Sequence, residues 1–308
     1  MELIRGLQNI RPKHHGCVAT IGNFDGVHLG HQAVLGQLAE KAAELDLPTT
    51  LITFEPQPME YFVPDKVPAR LTRFREKILA LQRYSVDRVC CLSFNDKLSK
   101  LSAEDFIQQV LVKKLGVKYL VVGDDFRFGA NRSGTFEMLV EAGKEHGFQV
   151  VSMHTFAIDN ERVSSTRVRA ALEKGEMSNA EKLLGRRYRM SGRVAHGEKL
   201  GRELGFPTAN IHLHRHASPI KGIFIVDVFG LDDEPIQGVA SIGTRPTVNE
   251  TKALLEVFLL DFDQDIYGRH IQVSFLKKLR DEVKFDSLDE LIKQIQLDVE
   301  QAQAYFAA

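Results

Sequence analysis

Two segments of the sequence combine glycines with polar side chains in a pattern suited to phosphate chemistry. The first covers residues 22–31 and carries histidines one helical turn apart, at positions 28 and 31. Glycines let the backbone approach a phosphate, and a helix that begins near Leu29 offers unpaired N–H groups to an anion. The segment is therefore predicted to bind a nucleotide. Its candidate residues are Gly22, Asn23, Phe24, Asp25, Gly26, His28, Gly30 and His31.

The chemistry that suits this first segment is attack on the α-phosphate of ATP, with pyrophosphate as the leaving group. Charge then builds on the β- and γ-phosphates, where histidine N–H donors and helix amides can stabilise it. A phosphate monoester is already anionic near neutral pH, so such a nucleophile needs no general base. A zinc site is the alternative, because His-x-x-His can ligate zinc, but no third ligand with motif spacing accompanies the pair. Phosphate binding is the favoured interpretation.

Two later segments are expected to converge on the same crevice, because the carboxyl ends of parallel strands meet at one edge of a sheet. The candidates after an apolar run at 119–122 are Asp125, Phe126 and Arg127. In the other segment, Ser164 or Ser165 can cap a helix while hydroxyls and Arg169 face a polyphosphate. The alternative is a plain N-cap beside a solvated basic face. The candidates of this segment are Ser164, Ser165, Thr166 and Arg169.

The second glycine-rich segment, residues 197–210, is also basic and is suited to wrap the phosphate tail of a nucleotide. Thr208 and Asn210 supply hard oxygen atoms of the kind that Mg²⁺ binds. The segment is not a Walker A loop, and its glycine content alone favours a mobile hairpin loop. The candidate residues are Gly201, Arg202, Gly205, Phe206, Pro207, Thr208 and Asn210.

Three further histidines, His212, His214 and His216, alternate as on one face of a strand. Their spacing suggests a metal site, but carboxylate or cysteine partners are not nearby. A solvated loop or strand edge is the favoured interpretation.

The first half of the chain has the pattern of an α/β scaffold. Candidate strands cover residues 17–22, 49–54, 86–92, 119–123 and 149–153. Between them, Leu35, Leu38 and Ala42 recur at helical spacing, and Ser102-x-x-Asp105 has the form of a capping box. This alternation predicts a Rossmann-like parallel sheet with crossover helices.

After residue 185 apolar residues alternate with polar ones, as in residues 188–194. Further β-like runs follow at 222–228, 236–242, 254–262 and 271–276. This pattern predicts an antiparallel β-barrel or sandwich. A final helix is expected to pack across it, because apolar residues recur at helical spacing from Leu288 to Ala302. We place the domain boundary so that residues 1–184 and 185–308 form the two domains.

Composition narrows the class of protein. The contents of 44% hydrophobic and 26% charged residues are ordinary for a globular protein, and no stretch is long and apolar enough to span a bilayer. A net charge of −1 argues against a broad nucleic-acid surface and favours small phosphorylated ligands. The three cysteines provide neither a disulfide framework nor a zinc ribbon. The N-terminus lacks the apolar core of a signal peptide, so a cytoplasmic location is expected, and the oligomeric state stays open.

Residues 16–170 resemble the nucleotidylyltransferase domain of bacterial FAD synthetases, with the segments 22–31, 123–129 and 163–169 in the family's order. The resemblance implies that His28, His31, Ser164, Ser165 and Thr166 bind and activate ATP. It also implies that residue 125 and its neighbours help seat ATP and FMN. The Phe-Glu-Pro-Gln-Pro sequence at 54–58 is similar to a family segment that borders the flavin.

Residues 185–308 resemble riboflavin kinases through nearly their whole length. The resemblance rests on Pro-Thr-Ala-Asn at 207–210 and on motifs at 222–224, 242–247, 256–262, 267–268 and 280–285. It implies that Thr208 and Asn210 contact Mg-ATP, that Glu256 is the catalytic base, and that Arg280 belongs to the ATP- and flavin-binding set. Without the resemblance, a glutamate in an apolar strand is best interpreted as a solvent-facing alternate position. Ser241 and Phe258 stand where the family often has asparagine and histidine, but neither replaces an assigned catalytic group.

Together the resemblances imply a bifunctional enzyme that phosphorylates riboflavin to FMN and adenylylates FMN to FAD, with ATP as co-substrate and Mg²⁺ as cofactor. The first step needs a base, because the 5′-hydroxyl of riboflavin is a poor nucleophile. Two alternatives stay open. One is a single-activity adenylyltransferase whose barrel only holds a ligand. The other is a flavin-responsive regulator, which the absence of a helix dense in Lys and Arg disfavours.

Overall fold

The chain folds into two units, one built on a parallel sheet and the other on an antiparallel barrel. A computed structural model describes residues 1–308 apart from 124, 154–155, 198–200, 202–203, 214, 216 and 247–250, with the backbone alone at 244–246 and 251–252. The first unit comprises Met1–Val67 and Lys77–Val163, and the second comprises Pro68–Glu76 and Ser164–Ala308. Arg202, His214 and His216 lie outside the described residues.

A six-stranded parallel sheet forms the centre of the first unit. Its strands are β1 (Glu2–Arg5), β2 (Cys17–Ile21), β3 (Thr49–Glu55), β4 (Arg88–Ser93), β5 (Val117–Gly123) and β6 (Gln149–Met153). They lie in the order β1-β4-β3-β2-β5-β6, and all neighbours are parallel. Buried residues run almost without interruption through β2 and β5, as is typical of strands covered on both faces. The predicted parallel sheet is confirmed.

Helices cover both faces of this sheet. They are α1 (Leu29–Leu45), α2 (Pro58–Phe62), α3 (Phe74–Leu81), α4 (Asp96–Ser99), α5 (Ala103–Phe106), its π-helical continuation Ile107–Lys114, and α6 (Phe136–His146). Alternate strand residues enter separate cores, since Val121 packs with Leu38 of α1 whereas Leu120 packs with Leu111 after α5. Short 3₁₀ turns lie at Leu7–Asn9, Pro12–His14, Pro64–Lys66 and Ala130–Arg132, and a hairpin forms from β7 (Ala157–Ile158) and β8 (Glu161–Arg162).

The strand order reverses at β2. From β2 the chain continues to β3 on one side, whereas β5 joins on the other side. Ligands of open α/β sheets bind outside the carboxyl ends of the strands at such a reversal. The segments that follow β2 and β5 therefore border the expected crevice.

A closed antiparallel barrel forms the centre of the second unit. Its strands are β9 (Arg189–Ala195), β10 (Thr208–His212), β11 (Gly222–Phe229), β12 (Ile236–Pro246), β13 (Thr251–Leu259) and β14 (His270–Arg280). They close in the order β10-β13-β12-β11-β14-β9. Side chains alternate along each strand, so Leu255 and Val257 of β13 are fully buried while Glu256 between them is half-buried. The predicted barrel is confirmed.

Three helices and one distant segment complete the second unit. The helices are α7 (Ser165–Glu173), α8 (Met177–Leu184) and α9 (Leu288–Ala307). α8 packs against β14, and Ala302 of α9 belongs to a core cluster with Ile223 and Val239 of the barrel. Residues 68–76 belong to this unit although they come from the first quarter of the chain, and the Tyr188 hydroxyl donates to the carbonyl of Leu71 at 3.0 Å.

The second unit begins at Ser164, so it includes α7 and α8, which precede the boundary expected near residue 185. Among the helices of the described part of the chain, none combines the length and apolar character needed to cross a membrane.

Candidate active sites

The first candidate site lies where β2 is followed by α1. Between them the backbone takes left-handed conformations at Phe24, Gly26 and Val27, with φ of 48°, 84° and 43°. Such conformations are strained for side chains other than glycine, and strain of this kind clusters at functional sites. In the first turn of α1, a Cβ on Gly30 would lie 3.1 Å from the carbonyl oxygen of Val163, so the two backbones approach closely. The turn places the N-terminus of α1 at the carboxyl edge of the sheet.

The structure brings His28 and His31 together. Their rings stack with centroids 3.6 Å apart, and Phe24 stacks on the His31 ring at 4.6 Å. His28 is the N-cap of α1, and its Nδ1 accepts the backbone N–H of His31 at 3.3 Å. In a neutral ring this hydrogen bond leaves Nε2 as the N–H donor. The imidazole is thus held at the positive end of the α1 dipole.

The other residues predicted from this loop differ in exposure. Asn23 is exposed and Gly22 is half-buried, whereas Asp25 and Gly26 are buried. Asp25 is only 2% exposed, so its side chain belongs to the interior of the loop. Among these four residues, Asn23 is therefore the one that is exposed to solvent.

The segment after β5 carries an exposed ion pair and an aromatic stack. Both Nη atoms of Arg162 donate to Asp125 at 3.2 Å, and the Asp125 side chain is 70% exposed. Phe126 stacks on buried Phe128 at 5.6 Å, and Arg127 is exposed. Exposed ion pairs contribute little free energy, so a ligand can replace either partner at small cost. Arg162 is a candidate that sequence reasoning missed.

Four aromatic rings meet beyond the ends of β3 and β4. Phe94 makes edge contacts with Phe54 at 5.8 Å, Tyr61 at 5.5 Å and Phe62 at 5.6 Å. Phe62 is 60% exposed, which is unusual for so large an apolar side chain in a cluster. The segment 54–58 predicted only the first of these rings. The Tyr-Phe pair of α2, which lies at the same sheet edge, is the sequence feature that could have indicated further rings.

The Ser-Ser-Thr segment begins the second unit. Ser164 is the N-cap of α7, and its Oγ accepts the backbone N–H of Arg167 at 3.2 Å. Ser165 and Thr166 lie in the first turn, and Nε of Arg169 donates to the carbonyl of Ala69 at 2.7 Å. Capping by Ser164 agrees with the expectation from the sequence. Binding of ATP by this segment stays a prediction.

The second candidate site is a row of polar side chains on the outer face of the barrel. Asn210 of β10 lies opposite Glu256 of β13, and Glu256 lies opposite Ser241 of β12. Directly opposed residues of antiparallel strands point to the same face, so the three side chains are neighbours. Glu256 does occupy an outward alternate position, but the face that it occupies is a cleft rather than open surface.

Two clefts meet at Thr208. One, of about 420 Å³, is lined by Thr208, Ser241, Glu256 and Arg280 together with many apolar side chains. The other, of about 240 Å³, is lined by Thr208, Asn210 and polar residues 263–265. The larger volume falls in the range of small-molecule sites. The larger cleft is mostly apolar and suits a planar ring, and the smaller one, which we call the polar cleft, combines Thr208 and Asn210 with Asp263 and Asp265.

Two glycines in the described part of the glycine-rich segment closely approach residues at or next to the strand that follows it. A Cβ on Gly197 would lie 2.4 Å from the amide of Asn210, and a Cβ on Gly201 would lie 2.5 Å from the carbonyl oxygen of Phe206. Gly205 has a φ of 85°, which glycine adopts without strain. Thr208 and Asn210 therefore lie on a strand, held by a loop whose glycines permit close approach. Pro207 lines the smaller cleft, and Phe206 lines the larger one.

The C-terminal helix contributes a wall of the larger cleft, which sequence reasoning did not foresee. Leu291, Ile295, Asp298 and Val299 of α9 line it, as does Glu282 after β14. Arg280 is held by two-point contact with Asp298, with Nη2 to Oδ2 at 2.7 Å. In the sequence, only an acidic residue, Asp298, within the apolar stripe of the final helix could have indicated this wall.

No metal centre is formed by clustered side chains within the described part of the chain, where groups of three or more His, Cys, Asp or Glu are absent. His212 ends β10 and is exposed.

The two units are those of a transferase with two catalytic domains. The model of the FAD synthetase family matches residues 10–167, and that of the riboflavin kinase family matches residues 184–306. Bifunctional riboflavin kinase/FMN adenylyltransferases are full-length relatives. The protein of Escherichia coli K12 is 52% identical over 99% of this chain and 98% of its own, and that of Haemophilus influenzae is 51% identical over 99% of each. This chain belongs to the bifunctional riboflavin kinase/FMN adenylyltransferase family.

A crystal structure described as a macrolide-efflux protein from Streptococcus pneumoniae is also similar. Its TM-score is 0.84 at 31% identity, and the match covers 98% of this chain and 99% of that one. The likeness extends across both units.

Proposed function

We propose that this chain phosphorylates riboflavin to FMN on the barrel and transfers an adenylyl group to FMN at the edge of the parallel sheet. The observation that carries the proposal is the outer row Asn210–Glu256–Ser241, which joins an apolar cleft to a polar one at Thr208. The sheet supplies a second centre of different design, built on stacked His28 and His31. Each centre consumes one ATP.

In the kinase reaction, riboflavin occupies the larger cleft and ATP the polar one. Glu256 accepts the proton of the 5′-hydroxyl as that oxygen bonds to the γ-phosphorus and the bond to the β,γ-bridging oxygen breaks. The products are FMN and ADP. Glu256 is half-buried beside an apolar wall, so little water competes for its carboxylate.

Thr208 and Asn210 are suited to bind Mg²⁺ together with the phosphates of ATP. Their hydroxyl and amide oxygens are hard donors at one end of the polar cleft, and Mg²⁺ commonly takes only one or two protein ligands beside substrate phosphates. Bound Mg²⁺ would neutralise the charge that develops on the transferred and leaving phosphates. Gly201, Gly205 and Arg202 belong to the loop that we expect to enclose the phosphate tail.

In the adenylyl transfer, a phosphate oxygen of FMN attacks the α-phosphorus of ATP and pyrophosphate leaves. No general base is needed because the attacking phosphate is already anionic. The imidazoles of His28 and His31 and the backbone amides of α1 stabilise the departing charge. We expect Ser164, Ser165, Thr166 and Arg169 to hold ATP, and Asp125, Phe126 and Arg127 to help seat both substrates.

The aromatic cluster of Phe54, Tyr61, Phe62 and Phe94 supports a flavin-binding role for this sheet edge. Exposed rings offer faces on which an isoalloxazine can stack. The cluster follows β3 and β4, beside the strand that carries the histidine loop.

A chromatographic time course tests the proposed function. Purified protein with riboflavin, ATP and Mg²⁺ is expected to form FMN first and FAD later. With FMN in place of riboflavin it is expected to form FAD at once, and EDTA is expected to stop both steps. FMN without FAD, or neither product, contradicts the proposal.

We also infer a cytoplasmic location, where ATP is available, and a boundary near residue 185 between the two catalytic parts. The family matches, which end at residue 167 and resume at residue 184, support that boundary. Cell fractionation with antibody detection tests the location.

A further inference from the structure

Asp298 is a buried carboxylate beneath the larger cleft. Its side chain is 4% exposed, and it lies on α9 in an otherwise apolar stripe with Leu291, Ile295 and Ala302. Burying a carboxylate is costly unless the charge is paired and hydrogen-bonded. The position therefore depends on a specific partner.

That partner is Arg280, the last residue of β14. Nε of Arg280 donates to Oδ1 and Oδ2 of Asp298 at 2.9 and 3.1 Å, and Nη2 donates to Oδ2 at 2.7 Å. Nε2 of Gln294 donates to Oδ1 at 3.1 Å. A two-point contact fixes the plane of the guanidinium as well as its position.

The guanidinium keeps donors for a ligand. Nη1 of Arg280 donates to the carbonyl of Asp281 at 3.1 Å, so one hydrogen on each Nη is left over from the contacts with described residues. Arg280 lines the larger cleft and not the polar cleft of Asn210. The Phe285 ring lies 5.8 Å from its Cζ, and most residues that line the cleft are apolar.

These surroundings favour a planar ring with carbonyl acceptors over a polyphosphate. We propose that Asp298 is a positioning residue for riboflavin selection. It holds Arg280 so that the remaining N–H donors meet the carbonyl edge of the isoalloxazine ring. The inference rests on the proposed assignment of this cleft to riboflavin.

Asp298→Asn tests the inference because it removes the charge with little change in shape. The KM for riboflavin in FMN formation is expected to rise about tenfold, while kcat and the KM for ATP change less than about twofold, since the lost contact binds substrate and transition state alike. Arg280→Gln is expected to give a similar rise. Adding Asp298→Asn to Arg280→Gln is expected to raise the KM no further, because Asp298 acts through Arg280.

Asp289→Asn, at an exposed position on the same helix, is the matched control and is expected to leave every parameter unchanged. A fall in stability without the selective change in riboflavin KM would show a structural ion pair and overturn the inference. A rise in the KM for ATP instead would overturn it too. If the unaltered protein forms no FMN, the proposed function fails. The inference is then decided by titrating riboflavin fluorescence without ATP, and equal affinities of the unaltered and Asp298→Asn proteins refute it.

Discussion

Asn210 and Glu256 lie directly opposite each other on the antiparallel strands β10 and β13. The pairing is fixed by the register of a closed barrel, because a shift of one residue in either strand would turn that strand's polar side chain to the interior. The Asn210 amide, for which we propose contact with Mg²⁺ and phosphate, and the Glu256 carboxylate are thereby held at the distance of one strand pair. This relationship lets the carboxylate act at the point where the two clefts meet.

Glu256→Gln is expected to reduce FMN formation about 100- to 10,000-fold, because a positioned base contributes rate enhancements of that order. Formation of FAD from supplied FMN is expected to continue at the rate of the unaltered protein. Chromatography of flavins after separate incubations with riboflavin and with FMN measures both steps. Glu234→Gln, at an exposed position of the same unit, controls for the loss of charge. Continued FMN formation by Glu256→Gln contradicts the assignment.

His28→Asn is expected to give the reverse pattern. Asparagine caps a helix well, so α1 keeps its N-cap while the imidazole donor is lost. FAD formation is expected to fall about 100- to 1,000-fold, as when one donor to a developing charge is removed. His31→Asn is expected to lower FAD formation as well. His15→Asn, at an exposed position, serves as the control. Equal loss of FMN formation would point to misfolding instead of lost transition-state stabilisation.

Sequence patterns predicted those helices and strands that are determined by residues close together in the chain. The strand at 149–153 was predicted with the observed bounds, and α1 begins at Leu29, where the histidine loop indicated. β1 was missed because its four residues become a strand only by pairing with β4, as Glu2 does with Arg88. A segment of four residues is too short to show a periodic pattern, so its pairing with β4 is not evident from the sequence.

Other parts depend on contacts between residues far apart in the chain. Residues 68–76 join the second unit partly through Glu76 and Arg215, which are 139 positions apart. Asp298 was overlooked because the apolar spacing of α9 indicates a buried face and says nothing of a charge within it. The parts of the candidate site that lie in sequence motifs were predicted. The wall formed by α9 was not, since only tertiary packing brings this helix to the cleft.

The buried thiols predict a loss of stability at alkaline pH. Burial raises the pKa of Cys17 from its ordinary 9.0 to about 11 and that of Cys90 to about 12. Above pH 9 the unfolded chain loses protons that the folded chain keeps. Stability is therefore complete below about pH 9 and falls up to the folded pKa values, by roughly 3 kcal/mol for Cys17 alone.

Urea unfolding at about pH 7.5 and at about pH 10 measures this loss. The variant Cys17→Ala with Cys90→Ala is less stable at both pH values because it leaves cavities, but its free energy of unfolding is expected to fall less between them. If the free energy of unfolding falls by the same amount between the two pH values in both proteins, the thiols do not cause the pH dependence.

Glu76→Gln is expected to destabilise the second unit by about 3 to 5 kcal/mol, because it leaves the charge of buried Arg215 without its carboxylate. Nη2 of Arg215 donates to Glu76 at 2.6 Å, and the two side chains are 3% and 9% exposed. Arg73 donates to Glu76 at 3.1 Å and to the carbonyl of Ser191, and it loses the negative charge of Glu76 as well. Urea unfolding followed through loss of FMN formation measures the effect. Glu300→Gln, on the exposed face of α9, is expected to change stability by less than about 0.5 kcal/mol. Equal midpoints for the two variants would show that residues 68–76 do not depend on this ion pair for their place in the second unit.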